Sequence, residues 1–143
     1  MSGAATSAFD VRGVIEGFYG NPYTHEQRLE LVDFLADRGM NTFVYGPKDD
    51  PLVRARWRDP YDGGALHRLA ELVNRCRARD VQLMYCVSPG LSMRYSDPRD
   101  MDALVAKLAS VAGLGVDAFG LLLDDIPLEL QHAEDRVAFS DLA

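Results

Sequence analysis

An α/β fold with a parallel sheet is the class that this sequence predicts, and three observations lead to it. Four short apolar segments are rich in strand-forming residues, helical patterns separate them, and their spacing of about 30 to 40 residues is that of repeated βα units. The predicted strands cover residues 11–15, 42–45, 81–87 and 118–123.

The first three helical segments have recognisable ends. Thr24 precedes the first helix as a capping residue, and Gly39 ends it. The second helix is predicted over residues 65–79, with basic residues near its C-terminus, where the helix dipole favours them. Asp97, which is followed by proline, begins the third helix, and this helix closes near Gly113.

A fourth helix is expected to open at Pro127 and to continue over residues 128–143 without a stop signal. Four βα units are half of the eight in a TIM (β/α)8-type barrel. Residues 11–143 are therefore interpreted as the N-terminal half of such a barrel, truncated after its fourth unit, and residues 1–10 as a flexible tail. A complete doubly wound fold is the alternative, although no glycine-rich phosphate-binding turn follows the first strand.

Composition and charge restrict the classes of partner. The 143 residues are 48% hydrophobic and 26% charged, as in one soluble globular unit, and the net charge of −7 argues against nucleic acid and anionic membrane. No membrane span and no secretory signal is recognisable, so a cytoplasmic location is expected unless the sequence belongs to a longer secreted chain. Cys76 and Cys86 are expected to be reduced thiols in the core.

The carboxyl ends of the predicted strands are where a parallel barrel carries its working groups. Asp124 and Asp125 follow the apolar run at 120–123, where carboxylates are costly to place without a purpose. Both side chains can reach one pocket only where the strand gives way to a loop. Two close carboxylates raise the pKa of one of them, which leaves one acid and one anion, as acid-assisted cleavage of a glycosidic bond requires.

Two other interpretations of the aspartate pair stay open on this evidence. In the first, Asp125 merely caps the helix opened by Pro127 and Asp124 is a solvated loop residue, and the pair alone favours this no less than catalysis. In the second, the two carboxylates bind magnesium for phosphoryl transfer, but no histidine or phosphate-binding loop accompanies them. The three histidines lack the spacing of metal ligands, so no metal site is predicted.

Further candidate residues lie in the loops after the first two strands. Gly17 and Tyr19 can present backbone and an aromatic face to a sugar ring, although glycine and aromatic residues also serve tight packing. Lys48 can donate to a sugar hydroxyl or carbonyl, but a surface ion pair with the two aspartates that follow it is the simpler role. Trp57 is expected to pack a long loop in place.

Five motifs occur in one order along residues 11–130, and they are GVIEGFYG at 13–20, YGPKDDP at 45–51, WR with PY at 57–61, SPG at 88–90 and DDI at 124–126. Together they resemble the retaining β-N-acetylglucosaminidases of glycoside hydrolase family 84, which includes protein O-GlcNAcases and bacterial enzymes once called hyaluronidases. Gly46 stands where that family usually shows alanine, and Leu123 where a bulkier residue is common. Neither departure removes a functional group.

The resemblance implies a (β/α)8 catalytic barrel that removes terminal β-linked N-acetylglucosamine from a glycan or glycoprotein through an oxazoline, without a cofactor. By resemblance, Asp124 orients the 2-acetamido group of the sugar, and Asp125 is the general acid and base. The residues that line the sugar subsite would be Gly17, Tyr19 and Lys48. The family's remaining sugar contacts come from later strands, so the alternative is a truncated, inactive fragment that binds N-acetylglucosamine.

Overall fold

The computed structural model describes residues 8–140, which contain four strands and four helices in alternation. The strands are β1 (Gly13–Glu16), β2 (Thr42–Tyr45), β3 (Gln82–Val87) and β4 (Ala118–Leu121). The helices are α1 (His25–Asp37), α2 (Gly63–Ala78), α3 (Pro98–Ala112) and α4 (Ala133–Ala138). All three strand pairs are parallel and follow chain order, so the predicted parallel α/β fold is confirmed.

One face of the sheet is covered by the first three helices. Because side chains alternate along a strand, Phe43, Tyr45, Leu83 and Tyr85 point to this face, where they share one hydrophobic core with residues of α1, α2 and α3. The opposite face of β1 carries Ile15, which is exposed. The strand order of this sheet also lacks the reversal that defines a doubly wound fold, so that alternative is wrong for the described residues.

The first helix begins and ends as the sequence predicts. The Thr24 hydroxyl accepts a hydrogen bond from Gln27 N at 3.2 Å, and the Gln27 side chain accepts one from Thr24 N at 2.9 Å. These reciprocal bonds form a capping box, which satisfies two otherwise unpaired donors of the first turn. Gly39 follows the helix with a φ of 69°, a conformation that glycine adopts without strain.

The next two helices differ only slightly from prediction. Asp97 caps α3 and Gly113 follows its last residue, as expected. The second helix starts two residues earlier than predicted because Asp62 caps it, accepting a hydrogen bond from Ala65 N at 2.7 Å.

The fourth helix forms within the predicted range, but its predicted start and length are wrong. Residues 127–132 are irregular, and α4 is a short helix that starts only after them. Asp135 of α4 is fully buried and accepts hydrogen bonds from Tyr95 N at 3.0 Å and Ser96 N at 2.7 Å, in the loop after β3. This tertiary contact determines where the helix forms, and it outweighs the local preference for a helix to begin at Pro127. The last three residues of the prediction lie outside the described chain.

The remaining sequence predictions about core residues hold. Trp57 is fully buried and its Nε1 donates to Ser92 Oγ at 3.2 Å, so it packs the long loop after β2 against the loop after β3. Cys76 and Cys86 are free and buried, and burial raises the pKa of the Cys76 thiol to about 12. No helix within residues 8–140 is long and apolar enough to cross a membrane. Of the predicted tail, residues 1–7 lie outside the described chain.

Candidate active site

A buried lysine and an accessible aspartate meet at the carboxyl ends of β2 and β4. Lys48 follows β2 by three residues, Asp124 follows β4 by three, and Lys48 Nζ donates to Asp124 Oδ1 at 2.6 Å. The Lys48 side chain is 3% exposed, whereas that of Asp124 is 56% exposed. The site therefore presents an anion to solvent and keeps its counter-ion beneath the surface.

Lys48 does not form the surface ion pair with its neighbouring aspartates that the sequence favoured. Asp49 instead accepts a hydrogen bond from Gly20 N at 2.6 Å, and Asp50 accepts one from Tyr45 Oη at 2.8 Å. Both aspartates are thus engaged in holding the loops after β1 and β2. The interpretation of Lys48 as a surface residue is wrong.

The electrostatic state of Asp124 follows from this contact. The hydrogen bond from Lys48 holds the pKa of Asp124 below its ordinary value, and the charges of Lys48 and Arg54 act in the same direction. Partial burial opposes the shift but does not reverse it. The sequence led us to expect repulsion between the two aspartates, and this repulsion is not a cause of the Asp124 shift. Asp124 is therefore an anion at neutral pH.

Asp125 contacts a different pair of residues. Tyr19 Oη donates to Asp125 Oδ2 at 2.9 Å. Arg54, which is 7% exposed, donates through Nη1 to Tyr19 Oη and through Nη2 to the Asp125 carbonyl oxygen at 3.1 Å. No helix opens at the following proline, so the interpretation of Asp125 as a helix cap is wrong.

The backbone at Asp125 brings its side chain to this position. Its φ of 53° lies in the left-handed region, which non-glycine residues adopt uncommonly and which aspartate tolerates better than most. Regular pairing of β4 ends at Leu121, and one further backbone bond, from Leu122 N–H to Val87 O at 2.9 Å, follows before the two aspartates. The two aspartates therefore lie in a turn, as the sequence required if both were to serve one site.

Four of the five predicted site residues are thus joined in two contacts, which are Lys48 with Asp124 and Tyr19 with Asp125. Gly17 lies two residues before Tyr19, and the described residues include no hydrogen bond from it to either aspartate. Substitution there is restricted, because an added Cβ would lie 3.0 Å from Ile15 Cγ1.

Glu16 ends β1 within the first motif and faces away from the two aspartates. It is fully buried on the helix-covered side, where Arg28 Nε and Nη2 donate to its two carboxylate oxygens at 2.8 Å each. Its Oε1 also accepts from Tyr23 N at 2.9 Å. Glu16 therefore anchors the loop after β1 to α1 and is engaged in structure.

Arg54 is the site residue that sequence reasoning missed. It occurs with Arg56 and Arg58 at alternate positions of one loop, and all three look alike as surface cations flanking Trp57. Only Arg54 is buried. The feature of the sequence that could have singled out Arg54 is its position between the second and third motifs.

The arrangement has the chemistry of acid and base groups. Within residues 8–140, no three His, Cys, Asp or Glu side chains are grouped in a way that could hold a metal ion. What the site offers is one anionic carboxylate with a buried counter-ion and one carboxylate oriented by a hydroxyl. Such groups can orient a polar substrate and transfer protons.

The fold and this site define the class of α/β proteins that carry their polar groups at the carboxyl ends of parallel strands. A family model described as β-N-acetylglucosaminidase matches residues 12–142. The chain therefore belongs to the β-N-acetylglucosaminidases of glycoside hydrolase family 84.

Individual relatives agree with this assignment. The protein O-GlcNAcases of Rattus norvegicus and Mus musculus are each 39% identical to it over 131 residues, which are 92% of this chain and 14% of those proteins. A mutant of the O-GlcNAc hydrolase of Thermobaculum terrenum has a similar structure, with a TM-score of 0.90 and 36% identity. That similarity covers 92% of this chain and 28% of the solved chain, so the sequence spans only a part of its relatives' length.

Proposed function

We propose that the protein carrying this chain is a retaining glycoside hydrolase that removes terminal β-linked N-acetylglucosamine from a glycan or glycoprotein. Asp125 is the general acid and base, and Asp124 orients the 2-acetamido group of the sugar. The observation that carries this proposal is that the two aspartates have different partners. Lys48 holds Asp124 as an anion, while Tyr19 binds the carboxylate of Asp125. The family and the names of the relatives support the choice of sugar.

Residues 11–143 would form the N-terminal half of the catalytic (β/α)8 barrel. Within the described chain, β1 and β4 each pair with only one strand, and helices cover only one face of the sheet. Such a sheet would form one part of the barrel wall. Further strands would pair with its two edges, β1 and β4, and close the barrel. The similarity to a solved family member of which this chain covers 28% supports the same interpretation.

In the first step, the carbonyl oxygen of the 2-acetamido group attacks the anomeric carbon. Asp125 protonates the glycosidic oxygen as its bond to that carbon breaks, and an oxazoline is left in the site. Asp124 accepts a hydrogen bond from the acetamido N–H and stabilises the positive charge that develops on the group. An anion held by Lys48 suits this role, since it carries its charge before substrate arrives.

In the second step, Asp125 removes a proton from a water molecule as that water attacks the anomeric carbon and opens the oxazoline. Two displacements at one carbon retain its configuration. Within residues 8–140, the Asp125 carboxylate accepts one hydrogen bond, from Tyr19 to Oδ2, which leaves Oδ1 for the leaving oxygen and the water.

Three further residues would line the sugar subsite. Tyr19 is 55% exposed and presents its ring at the mouth of the site, next to Asp125. Gly17 allows substrate to approach the backbone of the same loop. Lys48 lies beneath Asp124, so it acts on the sugar indirectly, by holding the Asp124 carboxylate.

The test is hydrolysis of an aryl N-acetyl-β-glucosaminide by the complete translated protein that carries this sequence. We expect turnover with a β-configured first product, seen by proton NMR, and none with the matching aryl glucoside, which lacks the acetamido group. Asp124→Asn and Asp125→Asn should each lower kcat/KM by about 100-fold or more. Asp117→Asn, at the exposed amino end of β4, is the control and should retain full activity.

The competing function is binding of N-acetylglucosamine without turnover. It is the alternative that the sequence left open, since the family resemblance expects further sugar contacts from later strands, beyond the 14% and 28% of the relatives' length that this chain spans. Calorimetric titration with N-acetylglucosamine separates the two functions. Binding with no hydrolysis of any aryl substrate would contradict the enzymatic proposal.

A further inference from the structure

We propose that Arg54 is a positioning residue for Asp125, which it holds by both the backbone and the carboxylate without itself contacting substrate. This inference rests on the proposed function, because it assumes that Asp125 is the general acid. Arg54 Nη2 donates to the Asp125 carbonyl oxygen at 3.1 Å, and Nη1 donates to the Tyr19 hydroxyl that binds the Asp125 carboxylate. One guanidinium thus contacts the Asp125 backbone directly and the Asp125 carboxylate through Tyr19.

Arg54 is unusual as a buried cation that forms no ion pair with a carboxylate of the described chain, although its charge helps to lower the pKa of Asp124. It is 7% exposed, and it forms none of the ion pairs among the described residues. Removing a guanidinium from water is costly unless its donors are satisfied. Two of its donors bind a peptide carbonyl and a hydroxyl, the carbonyl being that of Asp125 and the hydroxyl being the one that binds the Asp125 carboxylate. This use of a buried charge is costly for stability alone and is explained by a role at the site.

The loop that carries Arg54 is itself rigidly held. Arg54 N donates to Asp50 O at 3.2 Å, and the preceding residue, Val53, accepts from Ser88 N at 2.9 Å. The first bond closes a turn within the loop, and the second fixes the loop to the carboxyl end of β3. Asp125, by contrast, lies in an exposed turn with a left-handed backbone. Arg54 therefore transfers the rigidity of the core to a segment that lacks regular pairing.

The direction of the hydrogen bonds also depends on Arg54. A phenolic hydroxyl has a single proton, and at Tyr19 that proton is donated to Asp125 Oδ2. Arg54 occupies an acceptor site of the same oxygen and places its guanidinium 5.2 Å from the centre of the Tyr19 ring. Without these contacts the hydroxyl could rotate away, and the Asp125 carboxylate would lose its fixed orientation.

The reaction makes this role measurable. Protonation by Asp125 matters most for a poor leaving group, whereas a very acidic phenol departs with little help. A displaced acid should therefore slow poor leaving groups selectively. Loss of folded protein or of sugar binding would instead reduce the rates of all substrates by one common factor.

The experiment measures kcat/KM for the complete protein and for Arg54→Met, Arg54→Lys and Arg56→Met over a series of aryl N-acetyl-β-glucosaminides. For Arg54→Met, the poorest leaving group should lose about 10- to 100-fold and the most acidic one less than about 3-fold. Arg54→Lys keeps the charge but not both hydrogen bonds, so its loss should be intermediate. Arg56 is exposed and pairs with Asp59 at 3.7 Å, so Arg56→Met should match the parent.

A second measurement protects the test against a variant that folds poorly. Tyr19→Phe removes the hydroxyl through which Arg54 acts on the carboxylate. The double variant Tyr19→Phe with Arg54→Lys should therefore show a selective loss of kcat/KM for poor leaving groups that is smaller than the two single-variant losses combined. Equal losses across the series, or additive losses in the pair, would overturn the inference while leaving Asp125 as the acid. An inactive parent protein would appear in the same data as no turnover for any substrate, and it would overturn the proposed function and this inference together.

Discussion

Lys48 and Asp124 are 76 positions apart in the chain and meet through a hydrogen bond of 2.6 Å between Nζ and Oδ1. The lysine is buried and the aspartate is accessible, so the charge of the ammonium acts on a carboxylate that substrate can reach. Since the effective dielectric constant is lower beneath the surface than in water, this cation favours the anionic form of Asp124 more strongly than a surface lysine would. The contact links the second and fifth sequence motifs in one electrostatic unit.

The first prediction concerns the pH dependence of activity. Lys48 lowers the pKa of Asp124, so Lys48→Met should let that pKa rise, and Asp124 should then protonate at a higher pH. The acidic limb of the kcat/KM profile should move to higher pH. At neutral pH, the loss of one charged hydrogen bond, about 1.5 to 3 kcal/mol, should lower kcat/KM by roughly 10- to 100-fold.

The control for this prediction is Arg56→Met, which removes an exposed positive charge from the loop after β2 and should leave the profile unchanged. If the acidic limb of Lys48→Met stayed where it is in the parent protein, Asp124 would not be the anion on which activity depends.

The second prediction concerns packing beneath the aspartates. A Cβ added at Gly90 would lie 2.8 Å from Ile126 Cγ2, and Ile126 directly follows Asp125. Gly90→Ala should therefore displace this turn, lower stability by about 1 to 3 kcal/mol and reduce kcat. Gly63→Ala is the matched control, because an added Cβ there meets nothing within 4 Å. Thermal unfolding and kcat of both variants check the prediction, and equal behaviour of the two would contradict it.

The third prediction concerns the polypeptide of residues 1–143 produced by itself. Unpaired strand edges favour association, and β4 and α3 expose a group of apolar side chains. These are Met101, Val105, Phe119 and Leu121. We expect poor solubility or self-association, and the pair of changes Val105→Lys and Leu121→Lys should reduce it. Size-exclusion chromatography with light scattering measures the outcome, and a monodisperse monomer with a sharp two-state melt would show that the sheet edges need no partner.

Features with local causes were predictable from the sequence. The capping box at Thr24 and the glycine that ends α1 depend on neighbouring residues alone, and both occur as predicted. The location of Asp124 and Asp125 was predictable because carboxylates that end an apolar strand need a reason to be there. In each case the physical cause lies within a few residues of the feature.

Features set by distant contacts were not predictable. The segment after Pro127 has a helical pattern, but Asp135 is anchored by backbone groups 39 and 40 residues away, and this contact decides where the helix lies. Arg54 resembles the other arginines of its loop, and only the packing of that loop beside Tyr19 buries it. Local residue types do not encode which of several similar cations lies in the interior.

The most direct test of the proposed mechanism separates the roles of Asp124 and Asp125 by measuring kcat and kcat/KM of Asp124→Ala and Asp125→Ala across a leaving-group series, with and without azide. Asp125→Ala should keep much of its rate with a very acidic leaving group and lose it with a poor one, and azide should accelerate its second step by replacing the activated water. Asp124→Ala weakens the internal nucleophile, so all substrates should slow alike and azide should give no gain. If Asp124→Ala were the variant sensitive to the leaving group, the two roles would be reversed, and if neither variant lost activity, the catalytic site would lie elsewhere.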